Sequence, residues 1–407
     1  MYLFLAILLL SCAQFGSQIL MPALPGVAAS FGLEDSIAQQ VIMVYFIGFG
    51  LSQLIYGPWS DSAGRRKVFL VGQGLYVLGT LLCVLAPSEW YLALGRFIQG
   101  IGAGAPLIVS RTLLSDHFTG ELRKKAMASL AIAASFISVL APVLGGTLTS
   151  AVGWQSLFAL LGLYLLLSGL IGWYLLPRQV QHRRSQHGQI QDSQIKQTKA
   201  TPVKGIVGQY RLLLLDRRFL MPALFKWLPS LLYLTSATLL PFILQHKLDL
   251  SAQQYGMAMM LPATGLILGT CLAKLLHAQL SYPSQLLLFL PLLFLAGAGF
   301  ILLPFTLTNC LLSYSLFMVC GGAFYTISLH LLIEPFEQQT GIVNALCGAI
   351  DMLVFSVFAM LVNHYWVDTI AKLGWLYLVV SSALLLVGLA LKSKSGSEPA
   401  FDVKSMT

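Results

Sequence analysis

Three ionisable side chains stand inside apolar runs long enough to cross a bilayer: Asp351, Lys226 and Arg96. An ionisable group in such a place is expensive and points to a function or a close partner. Asp351 falls about ten residues into its run, or about 15 Å, which is the midplane of a roughly 30 Å hydrocarbon core. A carboxyl there can bind and release a proton, because burial penalises its ionised form. The competing reading is a carboxylate permanently paired with a cation. Lys226 lies about seven residues, roughly 10 Å, into its own run. It either snorkels back to the interface or serves as the partner of Asp351. Arg96 lies about 8 Å into its run from the other side. Arg111 sits near a run end, where it serves as an anchor pairing with Asp116. Gln14 and Gln18 share a helical face four residues apart. With Tyr45, Phe49 and Tyr233 they would line a cavity suited to amphipathic molecules, although ordinary helix packing explains any single aromatic equally well.

The elements that must position these residues follow from composition. Hydrophobic residues make up 57% of the 407 and charged ones 10%, where a soluble domain carries about 25% charge. Apolar runs of about 20 residues recur at about 3–24, 37–57, 68–86, 91–112, 125–149, 154–176, 218–244, 253–275, 284–304, 310–333, 341–365 and 373–391. The chain therefore reads as an all-α integral membrane protein of twelve spans, with no room for a soluble domain. Residues 177–217 form the one long polar stretch, a linker that is disordered or a surface helix. It separates a six-helix bundle, 1–176, from a second, 218–391, and residues 392–407 form a tail. An internal repeat supports the division. At an offset of 218, Gly104-Ala105 faces Gly322-Ala323, Ser110 faces Ser328, Asp116 faces Glu334 and Phe118 faces Phe336.

The formal net charge of +9 is a matter of topology. Arg65, Arg66, Lys67, Arg123, Lys124, Lys125, Lys274 and the linker cations fall on one side, whereas the opposite loops hold only Lys247 and Lys372. That bias puts the basic loops and both termini in the cytoplasm, in the inner membrane, and leaves no case for a nucleic-acid partner. Leu-Leu-Ser11-Cys12 imitates a lipoprotein cleavage site, but no basic residue precedes it, so the segment reads as the first span. The six cysteines lie within predicted spans without metal-type spacing. His182 and His187 of the linker, and His330 and His364 near run ends, have no nucleophile or ligand at workable spacing. No metal, cofactor or enzymatic activity is expected. No phosphate-cradling glycine-lysine loop is present, so ATP does not drive the protein.

The most specific motif is Gly57-Pro-Trp-Ser-Asp61-Ser-Ala-Gly64-Arg65-Arg66-Lys67, between the second and third runs. Gly57 and Gly64 permit tight turns, Asp61 can cap a following helix or pair with a cation, and the three cations hold the loop on the cytoplasmic side. The motif resembles the loop between helices two and three of the major facilitator superfamily. Gln14…Pro22-Ala-Leu-Pro25…Phe31-Gly32, Leu94-Gly-Arg96-Phe-Ile-Gln99-Gly100 and Ala141-Pro142-Val-Leu-Gly145-Gly146 resemble the first, fourth and fifth helices of its twelve-span drug/proton antiporters. Leu-Ser-Gln-Leu-Ile-Tyr-Gly-Pro-Trp-Ser-Asp and Ser110-Arg-Thr-Leu-Leu-Ser-Asp116 look most like Bcr/CflA-type multidrug exporters near the EmrD branch.

The resemblance implies two pseudo-symmetric six-helix bundles that work by alternating access. It also implies a gate built from Asp61, Arg65 and Arg66 that latches the outward-facing state, a proton-linked Arg96, and an antiporter motif at Pro142, Gly145 and Gly146. Ile137 and Ala141 stand where that family has glycines. Span one carries no carboxylate, so proton coupling would fall to Asp351. The expected function is proton-driven export of small amphipathic compounds by a lipid-embedded monomer. The alternatives are an uncoupled or metabolite-specific carrier of the same fold and, more remotely, a membrane receptor or assembly partner that transports nothing.

Overall fold

The structure is a computed structural model that describes residues 1–177, 203–277 and 279–395; most of the polar linker and the end of the tail lie outside them. The described chain is helical, without strands. Twelve stretches are long and apolar enough to cross a membrane: Tyr2–Phe31, Asp35–Ser60, Arg65–Val84, Glu89–His117, Gly120–Val152, Gln155–Leu175, Arg217–Lys247, Ala252–Leu276, Tyr282–Leu302, Leu307–Phe336, Gly341–Tyr365 and Ile370–Leu391. These are spans one to twelve, in the order and number that the apolar runs predict. Several extend beyond the runs. Span five, for example, begins at Gly120, with Glu121 in its first turn, because helices continue into polar residues that a hydropathy reading discards. Residues Val203–Leu215 of the linker form a further helix.

Two spans are interrupted. Span one is an α-helix to Gln18, a 3-10 turn at Met21–Ala23, and a second helix from Leu24 to Phe31. Pro22 and Pro25 supply no N–H to continue the helical ladder there. Span eight breaks at Met259, after a short helix that Ser251 and Gln254 begin with a reciprocal capping box.

The two halves repeat one packing scheme. Span four lies against spans one, two and three, and span ten against spans seven, eight and nine. Span six covers span three as span twelve covers span nine. The 218-residue sequence repeat falls on equivalent contacts: Gly104 is pressed against Ser52 of span two, and Gly322 against Leu266 of span eight. Each half has its own core, around Tyr45, Tyr76 and Phe158 in the first and around Phe289, Phe317 and Tyr377 in the second.

The halves are joined across spans two and eleven and spans five and eight. Their polar contacts gather at the end opposite the basic loops. Gln245 Nε2 donates to the Pro22 carbonyl at 2.9 Å, and the Gln253 amide donates to Ser150 Oγ at 3.1 Å. Asn363 Nδ2 reaches Gln39 Oε1 at 2.6 Å and Thr238 Oγ1 at 2.9 Å, while His246 Nδ1 lies 3.5 Å from Asp35 Oδ2. On span five, Ala141, Pro142, Gly145 and Gly146 are buried where the helix meets its neighbours, while Leu122, Ile132 and Phe136 are 65%, 71% and 66% exposed.

Candidate functional site

Asp216 starts span seven by accepting the Arg218 amide at 2.8 Å, and ten residues on the same helix presents Lys226. The ammonium does not snorkel. It lies 3.2 Å from Asp351 Oδ2 on span eleven, with the two side chains only 11% and 5% exposed. Lys226 Nζ also reaches Cys347 Sγ at 3.7 Å, one helical turn before Asp351, and lies 5.6 Å from the centre of the Tyr325 ring on span ten. Trp227 Nε1 closes the far side by donating to the Cys347 carbonyl at 3.0 Å, and its ring lies 6.2 Å from that of Phe355. The other carboxylate oxygen, Asp351 Oδ1, is buried and has no hydrogen-bond partner among the described residues. Tyr325 is 46% exposed, so the cluster borders open space on the side of span ten. Chemically this is a carboxylate with one oxygen neutralised by a lysine and the other vacant, able to take a proton or a hydrogen-bond donor.

Arg96 is fully buried in the first half. Its Nη1 donates to the Gly16 carbonyl at 3.0 Å and to Gln99 Oε1 at 2.9 Å, and its guanidinium lies 4.1 Å from the centre of the Tyr45 ring. Gln99 Nε2 passes the chain of hydrogen bonds on to Thr80 Oγ1 at 2.7 Å. Spans one, two, three and four therefore meet at this group. Its Nε and Nη2 are buried without hydrogen-bond partners among the described residues, and the described contacts include no carboxylate. Gly100 makes the approach possible, since a Cβ there would strike the Tyr45 carbonyl.

The five residues predicted to line a cavity separate into two groups. Gln14, Gln18 and Tyr233 are partly exposed, and Gln18 Nε2 donates to Ser138 Oγ of span five at 3.0 Å. Tyr45 is fully buried, with its hydroxyl donating to the Ala13 carbonyl at 3.2 Å, and Phe49 is 8% exposed. In this conformation Tyr45 packs on Arg96 and Phe49 stacks on Tyr45, and both are closed to a ligand.

The glycine-marked loop is mostly helix. The second helix runs from Asp35 through Ala63, with Gly57 and Pro58 inside it, and the next begins at Arg65. Only Gly64 makes the turn, at φ 89°, a conformation that glycine tolerates and other residues resist. The expected turn at Gly57 is absent because an α-helix absorbs it. Asp61 belongs to the last turn of that helix, and its side chain lies outside the described residues. Arg65 Nε contacts Asp116 Oδ2 at 3.1 Å and its Nη1 donates to Ser60 Oγ at 3.0 Å, while Arg66 lies 4.9 Å from the centre of the Trp173 ring. Asp116 is thus engaged by Arg65 rather than by the expected Arg111. Every one of these contacts stays within the first half.

Pro142 and Gly146 do meet the other half, while Gly145 packs on span one of its own half. A Cβ on Gly146 would run into the Ala252 carbonyl of span eight, and one on Gly145 into the Ile19 carbonyl. Across the same crossing, a Cβ on Gly256 would strike the Pro142 carbonyl. Small residues on both helices let the two backbones touch. Sequence reading missed this reciprocal glycine, the Gln39–Asn363–Thr238 cluster and Tyr325. Cys347 was within reach, because a residue four before Asp351 must share its helical face.

These features define a class: a twelve-span carrier of two repeated halves, joined at one end, with its buried ionisable groups deep in the helices. The model of the Major Facilitator Superfamily matches residues 6–359, and the chain belongs to that superfamily of membrane transporters. It is 28% identical over 377 residues to Multidrug resistance protein MdtL of Klebsiella pneumoniae strain 342, covering 91% of each chain. It is 32% identical over 159 residues to Multidrug resistance protein D of Escherichia coli K12, covering 39% of this chain and 40% of that one. In three dimensions it resembles a bacterial homologue of the human lysosomal transporter Spinster in an inward-facing and occupied conformation. The TM-score is 0.71 at 14% identity, covering 97% of this chain and 96% of the other.

Proposed function

We propose that this protein exports small amphipathic compounds across the inner membrane in exchange for protons, as a monomer with both termini in the cytoplasm. The observation that carries the reading is Asp351: a buried carboxylate near mid-membrane, held at Oδ2 by Lys226 and vacant at Oδ1. The names of the relatives point to drug export, and the distribution of Lys and Arg sets the orientation. In that orientation the joined end faces outward, so the structure is the inward-facing state. A substrate enters from the cytoplasm and binds the deprotonated site. The halves then rock about the mid-membrane site, and a proton from the outer side takes Asp351 and favours release. Return to the inward-facing state delivers the proton to the cytoplasm and lets Lys226 and Asp351 pair again. Gly64 and Arg65 keep the first half's basic end rigid during the stroke, and Asp61 and Arg66 belong to the same gate.

Purified protein in liposomes with an imposed pH gradient tests the reading. Drug flux should follow the gradient in the native protein and become indifferent to it in Asp351→Asn. Flux that ignores the gradient in the native protein would make it an uncoupled carrier, and no flux of any compound would make it a receptor.

A further inference from the structure

The buried charges constrain what can be carried. Among the described residues, Arg96 and Asp351 are the buried charged side chains, and Lys226 at 11% is the next most enclosed within the spans. The other Asp, Glu, Lys, Arg and His side chains lie toward helix ends. Two cations and one anion leave the interior at +1, and the position of a proton within the Lys226–Asp351 pair does not alter that count. Arginine does not deprotonate in proteins. Its contacts with the Gly16 carbonyl, Gln99 and the Tyr45 ring are with dipoles and a quadrupole, which orient the charge without cancelling it.

Resting on the antiport reading above, we propose that the substrate is an uncharged molecule whose N–H or O–H donates to Asp351 Oδ1. A cation entering this interior meets a net +1, which rises to +2 when Asp351 is protonated. An anion fails for a different reason: protonation of Asp351 frees Lys226 and strengthens anion binding, so proton and anion would travel together. Exchange requires a ligand that the deprotonated carboxylate prefers, and Oδ1 is the acceptor left open. The groups facing this carboxylate fit that role. Span seven contributes Lys226, span ten contributes Tyr325 and its own helix contributes Cys347. Span two approaches at Gly348 through the neutral Gln53. Protonating Oδ1 turns the acceptor into a donor and expels the ligand.

The test uses the native protein in lipid nanodiscs and four tritiated probes of one shape: tetraphenylphosphonium, tetraphenylborate, triphenylacetamide and its N,N-dimethyl derivative. Equilibrium binding is measured from about pH 6 to about pH 8.5. The primary amide should bind at least about tenfold more tightly than the phosphonium and than its own dimethyl derivative at alkaline pH. Its affinity should fall on acidification, and Asp351→Asn should abolish that fall. Lys226→Gln, which takes the interior to zero net charge, should raise phosphonium affinity about tenfold. Failure of the amide to outbind the phosphonium, or indifference to loss of its N–H, overturns the proposal. That failure is separable from failure of antiport, because gradient-driven flux of a cation would sink this inference while leaving proton exchange standing.

Discussion

At the scale of single residues, the buried pair is the most consequential arrangement in the molecule. Lys226 and Asp351 are both enclosed, so removing one partner strands the other's charge in a medium that cannot solvate it. Lys226→Met should destabilise the protein by about 3–5 kcal/mol, whereas Lys226→Met combined with Asp351→Leu should recover most of that loss. Thermal unfolding of the two variants in one detergent checks this; equal losses would mean that the two groups do not depend on each other. Arg96 makes a contrasting case, held by a planar fork that a lysine cannot reproduce. Arg96→Lys should therefore keep the interior charge, and with it the exclusion of phosphonium, while lowering the melting temperature. Their depth was legible from position in the apolar runs. Their partners were not, because whether a lysine snorkels or turns inward depends on which helix lies beside it. The same limit hid Tyr325, an ordinary tyrosine on a helix whose rotation only the fold determines.

At the scale of elements, hydropathy marks spans well because the bilayer demands about 20 apolar residues from every helix that crosses it. It marks their ends poorly. The Gly57–Lys67 segment shows why: its proline, glycines and charges read as a loop, yet helix continues through Gly57 and Pro58 to Ala63, and Gly64 alone turns the chain. Span seven offers a test of an element's start. Arg218 hydrogen-bonds the Asp216 carboxylate and holds it below the usual carboxylate range, and Asp216 caps the helix that carries Lys226. Asp216→Ala should cost about 1 kcal/mol at neutral pH. A group whose folded pKa is depressed stabilises above its unfolded value and loses that contribution as pH falls through the folded one. The gap between variant and native melting temperatures should therefore narrow below about pH 4. The crossing of spans five and eight is the other sensitive element. Gly146→Leu cannot seat against the Ala252 backbone, so a maleimide probe at a cysteine introduced at Ser150 should react more rapidly than in the native background. Unchanged labelling would show that this crossing does not seal the outer end.

At the scale of the whole molecule, the join between the two similar halves gathers its polar contacts at one end, beside the close backbone crossing of spans five and eight. His246 lies 3.5 Å from Asp35 across it, and both side chains are about half exposed, so this join is weak enough to open in a transport cycle. Cysteines at positions 35 and 246 should cross-link in membranes and arrest transport, with reduction restoring it; full transport in the cross-linked protein would mean that the outer contacts never part. The overall plan was legible early, because the 218-residue repeat and the alternation of basic and neutral loops both report two six-span halves. The conformation was not, since it is set by how spans two and eleven and spans five and eight pack across the halves, which no motif specifies. The central claim is that substrate and proton compete for Asp351. The most direct measurement adds a compound that the vesicles accumulate to purified protein in weakly buffered detergent solution and reads the released protons. The native protein should release up to one proton per molecule bound, and Asp351→Asn none. Proton release from Asp351→Asn equal to native would contradict it.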